Sequence, residues 1–133
     1  MSSDSPRKSK FQFTNPRITS IRFEENATFD SSKYSGLGSS ISTKVDNPIN
    51  NSTNVELNLC LGIEKDTVPF SLDITVKAGF NWDESLSDDL VKELLDKNAK
   101  VLLLSYLRPF VAHLIVDAGY PPLILPFYDF SGN

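Results

Sequence analysis

The side chains that most often carry out chemistry are scarce in this chain of 133 residues. His113 is the one histidine and Cys60 is the one cysteine. A single histidine excludes a multi-histidine metal site, and a single cysteine excludes both an intrachain disulfide and a zinc site with several thiolates. Neither residue has a base, an acid or a metal ligand next to it in the sequence. We interpret His113 as a polar interruption of a helix and Cys60 as a residue on the polar face of a strand.

Two further patterns resemble chemical motifs only in part. The segment GLGSS at residues 36–40 lacks the third glycine, the lysine and the preceding apolar strand of a phosphate-binding loop. Four carboxylates follow one another at helical spacing, which spreads them over a solvated face and a helix start. They are Asp88, Asp89, Glu93 and Asp96. We therefore expect no catalytic residue, no metal and no cofactor, and we expect that the protein is not an enzyme.

Composition narrows the possible partners. The chain has 13 Lys and Arg against 17 Asp and Glu, a net charge of -4, which argues against binding to nucleic acid or to an anionic membrane. Residues 1–10 are polar and read as a flexible arm, and residues 11–133 read as one domain. The arm has no apolar signal region, and the longest apolar run, residues 101–104, is too short to insert into a membrane. These observations predict a cytoplasmic protein.

The alternation of apolar and polar residues predicts strands. Residues 17–24 form a first strand with an irregularity near Thr19, and a polar crossover separates it from a short second strand at residues 41–45. Apolar residues then occupy every second position of residues 55–63 and 70–82, which indicates an antiparallel hairpin. The prediction is a four-stranded antiparallel sheet with a long crossover after strand 1.

The second half of the chain changes to helical spacing. Ser85 or Ser87 can cap a short amphipathic segment, and a longer helix covers residues 99–118, with a kink expected at Pro109. Gly119 ends this helix and two prolines follow it, so the tail is predicted to be extended. The fold class is therefore α+β, with a sheet packed by a long C-terminal helix and an extended tail.

The long helix is apolar on two sides. One stripe comprises Leu103, Leu107, Phe110, Val111, Leu114 and Ala118. A second group lies opposite it and comprises Val101, Leu104, Ala112, Ile115 and Val116. Because one sheet covers only one side of a helix, the other side is expected to pack against another subunit. The residues predicted for this interface are Leu104, Arg108, Ile115 and Val116.

Five segments resemble a known family when they are taken in order. They are IRFE at residues 21–24, PFSLDI at 69–74, AGF at 78–80, LRPFV at 107–111 and GYPPLIL at 119–125, followed by Phe130. This series resembles the SecB family of protein-export chaperones, and the last segment is the most diagnostic. The resemblance covers residues 11–130 and implies the same order of elements, namely four antiparallel strands with a long crossover, then a long helix and an extended segment.

The resemblance also implies a function. It implies a homotetramer, a dimer of dimers, that holds unfolded preproteins without ATP in apolar grooves. The client-binding residues expected here are Phe29, Tyr34, Phe70, Trp82, Tyr120, Leu123, Leu125 and Phe127. The positions that dock the export ATPase SecA in the family correspond to Ser20, Glu24, Ser71 and Asp73, of which Glu24 and Asp73 are acidic. The sequence stops at Asn133, before the second helix and acidic tail that the resemblance implies.

Three alternatives stay open beside general export. One is a SecB-like chaperone dedicated to a single client such as an antitoxin. The second is an oligomeric ligand-binding domain of the same α+β type that is not a chaperone. The third is an enzyme whose site the sequence hides.

Overall fold

A computed structural model of the chain describes residues 8–64 and 67–123. Its strands are β1 (Phe11–Phe13), β2 (Arg17–Glu25), β3 (Ser39–Val45), β4 (Ser52–Leu61) and β5 (Phe70–Trp82). Its helices are α1 (Asp88–Glu93) and α2 (Ala99–Asp117), joined by a π-helical segment at Leu94–Asn98. Of the predicted arm, only residues 8–10 are described, and the Lys10 carbonyl accepts a hydrogen bond of 2.8 Å from the Asp83 amide.

The strands form one antiparallel sheet with four lateral positions. Strand β5 pairs with β4 on one side and with both β1 and β2 on the other, while β3 pairs with β4 at the far edge. The predicted sheet and its crossover from β2 to β3 are confirmed. The register shifts between Ile18 and Ser20, which is the irregularity predicted near Thr19. The fifth strand, β1, is only three residues long, so it carries too little alternation to be recognised in the sequence.

Local chemistry begins and ends the helical segment as predicted. The Ser87 hydroxyl accepts a hydrogen bond of 3.2 Å from the Leu90 amide and caps α1. At the other end, Gly119 has φ +97, and the amides of Gly119 and Tyr120 donate to the carbonyls of Val116 and Ile115. These two bonds form a Schellman motif, which satisfies carbonyls that the last helical turn leaves free.

The core lies between α2 and the inner face of the sheet. Alternate residues of β4 and β5, from Val55 to Leu61 and from Phe70 to Phe80, are buried there. From α2 the buried residues are Ala99, Leu103, Leu104, Leu107, Val111 and Ile115. The predicted direction of the helix was right for Leu103, Leu107 and Val111, which face the sheet. It was wrong for Leu104 and Ile115, which also face the sheet, and for Ala118, which is exposed. A helix that is apolar nearly all round has no unique apolar direction in its sequence, so only packing decides which side is inward.

The outer side of the helix nevertheless remains apolar. Val101, Tyr106 and Val116 are each about half exposed. By length and composition the helical stretch Asp88–Asp117 is apolar enough to cross a membrane. The longest uninterrupted apolar run, residues 101–104, gave no sign of this, because the apolar composition is spread over the whole helical stretch. The core helix of a globular domain has the same composition, and the inner side of α2 packs on the sheet as such a helix does.

Candidate functional site

An open, mostly apolar cavity of about 490 Å³ lies between the crossover and the end of α2. Its lining residues come from three places in the sequence, namely the end of β2 with the crossover, the start of β5, and the residues after the helix. They are Glu25, Asn26, Phe29, Tyr34, Pro69, Tyr120 and Pro121. We call this cavity the crossover pocket.

One wall of the crossover pocket is attached to the sheet by Asn26. Its backbone amide donates to the Pro69 carbonyl at 2.9 Å, and its side-chain amide donates to the Val68 carbonyl at 2.9 Å. Its own carbonyl accepts from the Phe29 amide at 3.1 Å. These three bonds turn the chain immediately after β2 and place Phe29 in the same pocket lining as Pro69.

A single 3-10 turn at Ser31–Lys33 then positions Tyr34. The Asp30 carboxylate caps this turn, accepting hydrogen bonds from the Ser32 amide at 3.0 Å and the Ser32 hydroxyl at 2.7 Å. Those bonds favour the ionised carboxylate and hold the pKa of Asp30 below its ordinary value. The Tyr34 ring meets Phe29 edge to face, with 6.1 Å between ring centroids. The two aromatic rings of the crossover therefore support each other.

The opposite wall of the pocket is Tyr120, the residue that closes the Schellman motif. Its ring packs on Phe70 at 4.7 Å and on Phe23 at 6.0 Å between centroids, and its hydroxyl lies 3.5 Å from the Pro69 carbonyl oxygen. Burial raises the pKa of the Tyr120 phenol, and the charge of the nearby Glu25 carboxylate raises it further. The phenol is thus held neutral, as a polar group at the edge of an apolar surface.

The crossover pocket has the shape and lining of a binding site without the groups of a catalytic one. Aromatic rings and prolines form its walls, and Glu25 is its one carboxylate. Among the residues that the structure describes, no group of three or more His, Cys, Asp and Glu is placed to hold a metal ion. Cys60 lies on the outer face of the sheet, where burial and the Asp73 carboxylate raise the pKa of its thiol. That shift disfavours the reactive thiolate.

The structure gathers some of the predicted client-binding residues and separates others. Phe29, Tyr34 and Tyr120 line the crossover pocket together, and Leu123 packs against the core as a partly buried residue. Phe70 is only 3% exposed, so it supports the Tyr120 ring from beneath and offers no surface to a client. This part of the prediction was wrong because the alternation of β5 places Phe70 on the core side. Leu125 and Phe127 lie outside the described residues.

Trp82 does not belong to the crossover pocket. It lies at the opposite end of β5, about 40 Å along the strand from Phe70 at the usual rise per residue. There it stacks on Phe11 and lines a separate cavity of about 500 Å³ between the β3–β4 connection and the start of the helical segment. The sequence predicted one aromatic surface, but the length of β5 places Trp82 far from the aromatic residues of the crossover pocket.

Sequence reasoning also missed four lining residues of the crossover pocket, Glu25, Asn26, Pro69 and Pro121. The prolines were visible only as breaks in regular structure. Asn26 carries no periodic signal at all, because its role depends on carbonyls that are more than 40 residues away.

The residues predicted for partner docking and for assembly lie on different faces. Glu24 and Asp73 are both on the outer face of the sheet, with Arg22 in register opposite Asp73. The Asp73 carboxylate accepts a hydrogen bond of 2.7 Å from the Asn58 side-chain amide. On α2, Leu104 and Ile115 are 2% and 1% exposed, which removes them from any subunit interface, whereas Val116 is exposed and Arg108 is half-buried.

No protein-family model matches the chain. It is 41% identical over 49 residues to the protein-export protein SecB of Anaplasma phagocytophilum (strain HZ), a match that covers 37% of this chain and 31% of that protein.

The fold is shared more widely than the sequence. A SecB-like chaperone of Mycobacterium tuberculosis, Rv1957, solved with a ChAD peptide from the antitoxin HigA1, Rv1956, matches with a TM-score of 0.65 at 14% identity, over 90% of this chain and 91% of that chain. A protein of unknown function from Streptococcus agalactiae matches with a TM-score of 0.50 at 13% identity, over 91% of this chain and all of that chain. Together, the local sequence match and the shared fold support the resemblance to the SecB family.

Proposed function

We propose that this SecB-like protein is an ATP-independent chaperone that holds unfolded or partly folded polypeptides, and that the crossover pocket is where a client side chain binds. The observation that carries the proposal is the open aromatic cavity formed by Phe29, Tyr34 and Tyr120. Its volume of about 490 Å³ lies within the range of ordinary ligand sites, so it is large enough for an apolar side chain with part of its backbone.

The lining of the pocket suits an unselective chaperone. Aromatic rings and prolines offer apolar area without fixed directional bonds, so side chains of different shapes are accepted at similar cost. Tyr34 is 51% exposed before any client binds. Leu123 follows Tyr120 and packs at the margin of the same core. An apolar segment that is exposed in an unfolded chain can cover these surfaces and so be kept from aggregating.

The outer side of α2 supports the proposed homotetramer, a dimer of dimers. Val101, Tyr106 and Val116 keep apolar area in water in the single chain, and a second copy of the helix is the partner we propose to cover it. Of the predicted interface residues, Val116 and Arg108 remain in this proposal.

Assembly can be tested by light scattering. The unmodified protein is expected to be a tetramer at micromolar concentration, and Val116→Asp is expected to shift it to smaller species. Val116 is exposed in the single chain, so the fold should survive the substitution, and an unchanged circular dichroism spectrum would verify this. A monomeric unmodified protein would refute the assembly.

The chaperone proposal is tested by aggregation. A chemically denatured client is diluted into buffer without ATP, and light scattering is followed as the protein is added in substoichiometric to equimolar amounts. We expect slower aggregation, and we expect Phe29→Ser with Tyr34→Ser to weaken the effect. No protection at a fourfold excess would exclude the chaperone. A large thermal shift with one small metabolite would instead favour an oligomeric ligand-binding domain.

A chaperone for one dedicated client is the second candidate, favoured by the antitoxin peptide bound to the structural relative from Mycobacterium tuberculosis. The sequence relative is named a protein-export protein, which favours protein export. For such an export chaperone we propose SecA as the partner and the cytoplasm as the location. Capture of bound chains from the source cell distinguishes the two, because export clients are many and carry signal peptides, whereas a dedicated client is a single protein.

A further inference from the structure

The outer face of the sheet, on the side away from α2, is polar and free of aromatic residues at the positions that strand register places on it. On β5 the half-buried Asp73, Thr75 and Lys77 alternate with the buried Ile74 and Val76, whose side chains enter the core. The equivalent residues of the other strands are Arg17, Ser20, Arg22, Glu24, Ser40, Ser42, Lys44, Glu56, Asn58 and Cys60.

Register assembles a cationic row across four strands of this face. Arg17 pairs with Lys77, Lys77 pairs with Glu56, and Glu56 pairs with Lys44. Neighbouring strands are about 4.8 Å apart, so the row spans roughly 15 Å with three cations and one carboxylate. No single strand shows this arrangement in its sequence, because each contributes one residue.

The next row consists of neutral hydrogen-bonding groups. Ser20, Thr75, Asn58 and Ser42 follow one another across the same strands. Asn58 donates both to Thr75 and to the Asp73 carboxylate, so Asp73 is already bonded and has Arg22 beside it in register. The face has four cations and three carboxylates, whereas the whole chain has 13 cations and 17 carboxylates. Cations therefore outnumber carboxylates on this face, whereas carboxylates outnumber cations in the whole chain.

We propose that this face docks an acidic polypeptide segment, rich in Asp and Glu, that lies across the strands along the row of Arg17, Lys77 and Lys44. A span of roughly 15 Å accommodates four or five residues of an extended segment at its usual rise. The hydroxyls of the neutral row supply hydrogen-bond donors beside the charges. Charge complementarity of this kind selects the partner and speeds its encounter.

Other anionic partners fit this face less well. Single-stranded nucleic acid binds through aromatic side chains on which bases stack, and the residues that register places on this face include none. An anionic membrane would require apolar side chains next to the cations, and these are also missing from the face. The acidic segment is therefore the occupant that the chemistry favours.

This interaction is separate from the proposed client binding, but it uses the same face of the sheet as the docking positions Glu24 and Asp73, so an acidic segment and SecA are alternative occupants of that face. The helix and the crossover pocket belong to the other side of the sheet, and assembly through α2 would leave the outer face in water. The experiments therefore distinguish a protein that is a chaperone but does not bind acidic segments from one that binds acidic segments but is not a chaperone.

The experiment uses the full chain and a fluorescein-labelled ten-residue peptide of alternating Asp and Ser, titrated by anisotropy at 0.15 M salt. The double variant Lys44→Glu, Lys77→Glu reverses the row. The control, Lys92→Glu, Lys97→Glu, makes the same change in net charge on the helical segment. Circular dichroism checks that both variants are folded. If the reversed variant does not fold, the double variant Arg17→Gln, Lys44→Gln replaces it.

We expect micromolar binding by the unmodified protein, at least tenfold weaker binding by the reversed variant, and less than a twofold change in the control. Equal weakening of binding in both variants would overturn the proposal, since the net charge of the protein would then explain the binding without the row. The proposal would also be overturned by no binding, by preference for the matching Lys and Ser peptide, or by single-stranded DNA of equal charge binding as tightly to the same row.

Discussion

Replacement of Tyr34 by serine tests the crossover pocket most directly, because we expect Tyr34 to contribute more to a client complex than to the fold. The ring is 51% exposed and its aromatic neighbour is Phe29, so truncation should cost about 1 kcal/mol of unfolding free energy, the value of one aromatic pair. The variant is therefore expected to fold, with a small decrease in melting temperature.

The effect on client binding follows from the exposed area. An aromatic side chain presents about 200 Å², so roughly 100 Å² of Tyr34 remains for a client to cover. At about 25 cal/mol per Å² this corresponds to roughly 2.5 kcal/mol, or up to about 60-fold in affinity. Because ordering an unfolded client consumes part of that energy, we expect a loss of roughly tenfold.

The assay is an anisotropy titration of a labelled, permanently unfolded protein against Tyr34→Ser and against Phe13→Ser. Phe13 is a suitable control because it is 45% exposed and packs on Phe80, near the opposite end of β5 from the pocket. A change of less than twofold for Tyr34→Ser, or an equal loss for Phe13→Ser, would refute the assignment of the pocket.

Two further predictions concern the scaffold. Gly62 and Gly119 both have positive φ, but an added Cβ would overlap the Phe70 carbonyl oxygen at Gly62 and meet nothing within 4 Å at Gly119. Thermal or urea unfolding should therefore show a loss of about 1–2 kcal/mol for Gly119→Ala and at least ~3 kcal/mol for Gly62→Ala, and equal losses would contradict the reasoning. Burial, followed by the Asp73 charge, raises the pKa of Cys60, so Ellman's reagent should react with it at pH 8 more slowly than with free glutathione. Asp73→Asn removes the charge and should speed that reaction several-fold, and an unchanged rate would show that the charge has no part in the shift.

Much of the fold was predictable because its signals are local. The alternation of β4 and β5, the hydroxyl cap at Ser87 and the left-handed Gly119 each depend on residues within a few positions of one another. The bulge near Thr19 was also predictable, since Ile18 is out of phase with the apolar residues that follow it.

The sequence by itself therefore determined the order of elements, the place where the helix ends and the shortage of catalytic groups. Tertiary structure decided which side of α2 became core, since the helix is apolar on both sides and only contact with the sheet distinguishes them. It also decided that Tyr120 lines one pocket with Phe29 and Tyr34 while Trp82 lies at the far end of β5, and that Arg17, Lys77 and Lys44 share one row. These neighbours are brought together by strand register and by the path of the crossover, which are long-range properties that no local pattern encodes.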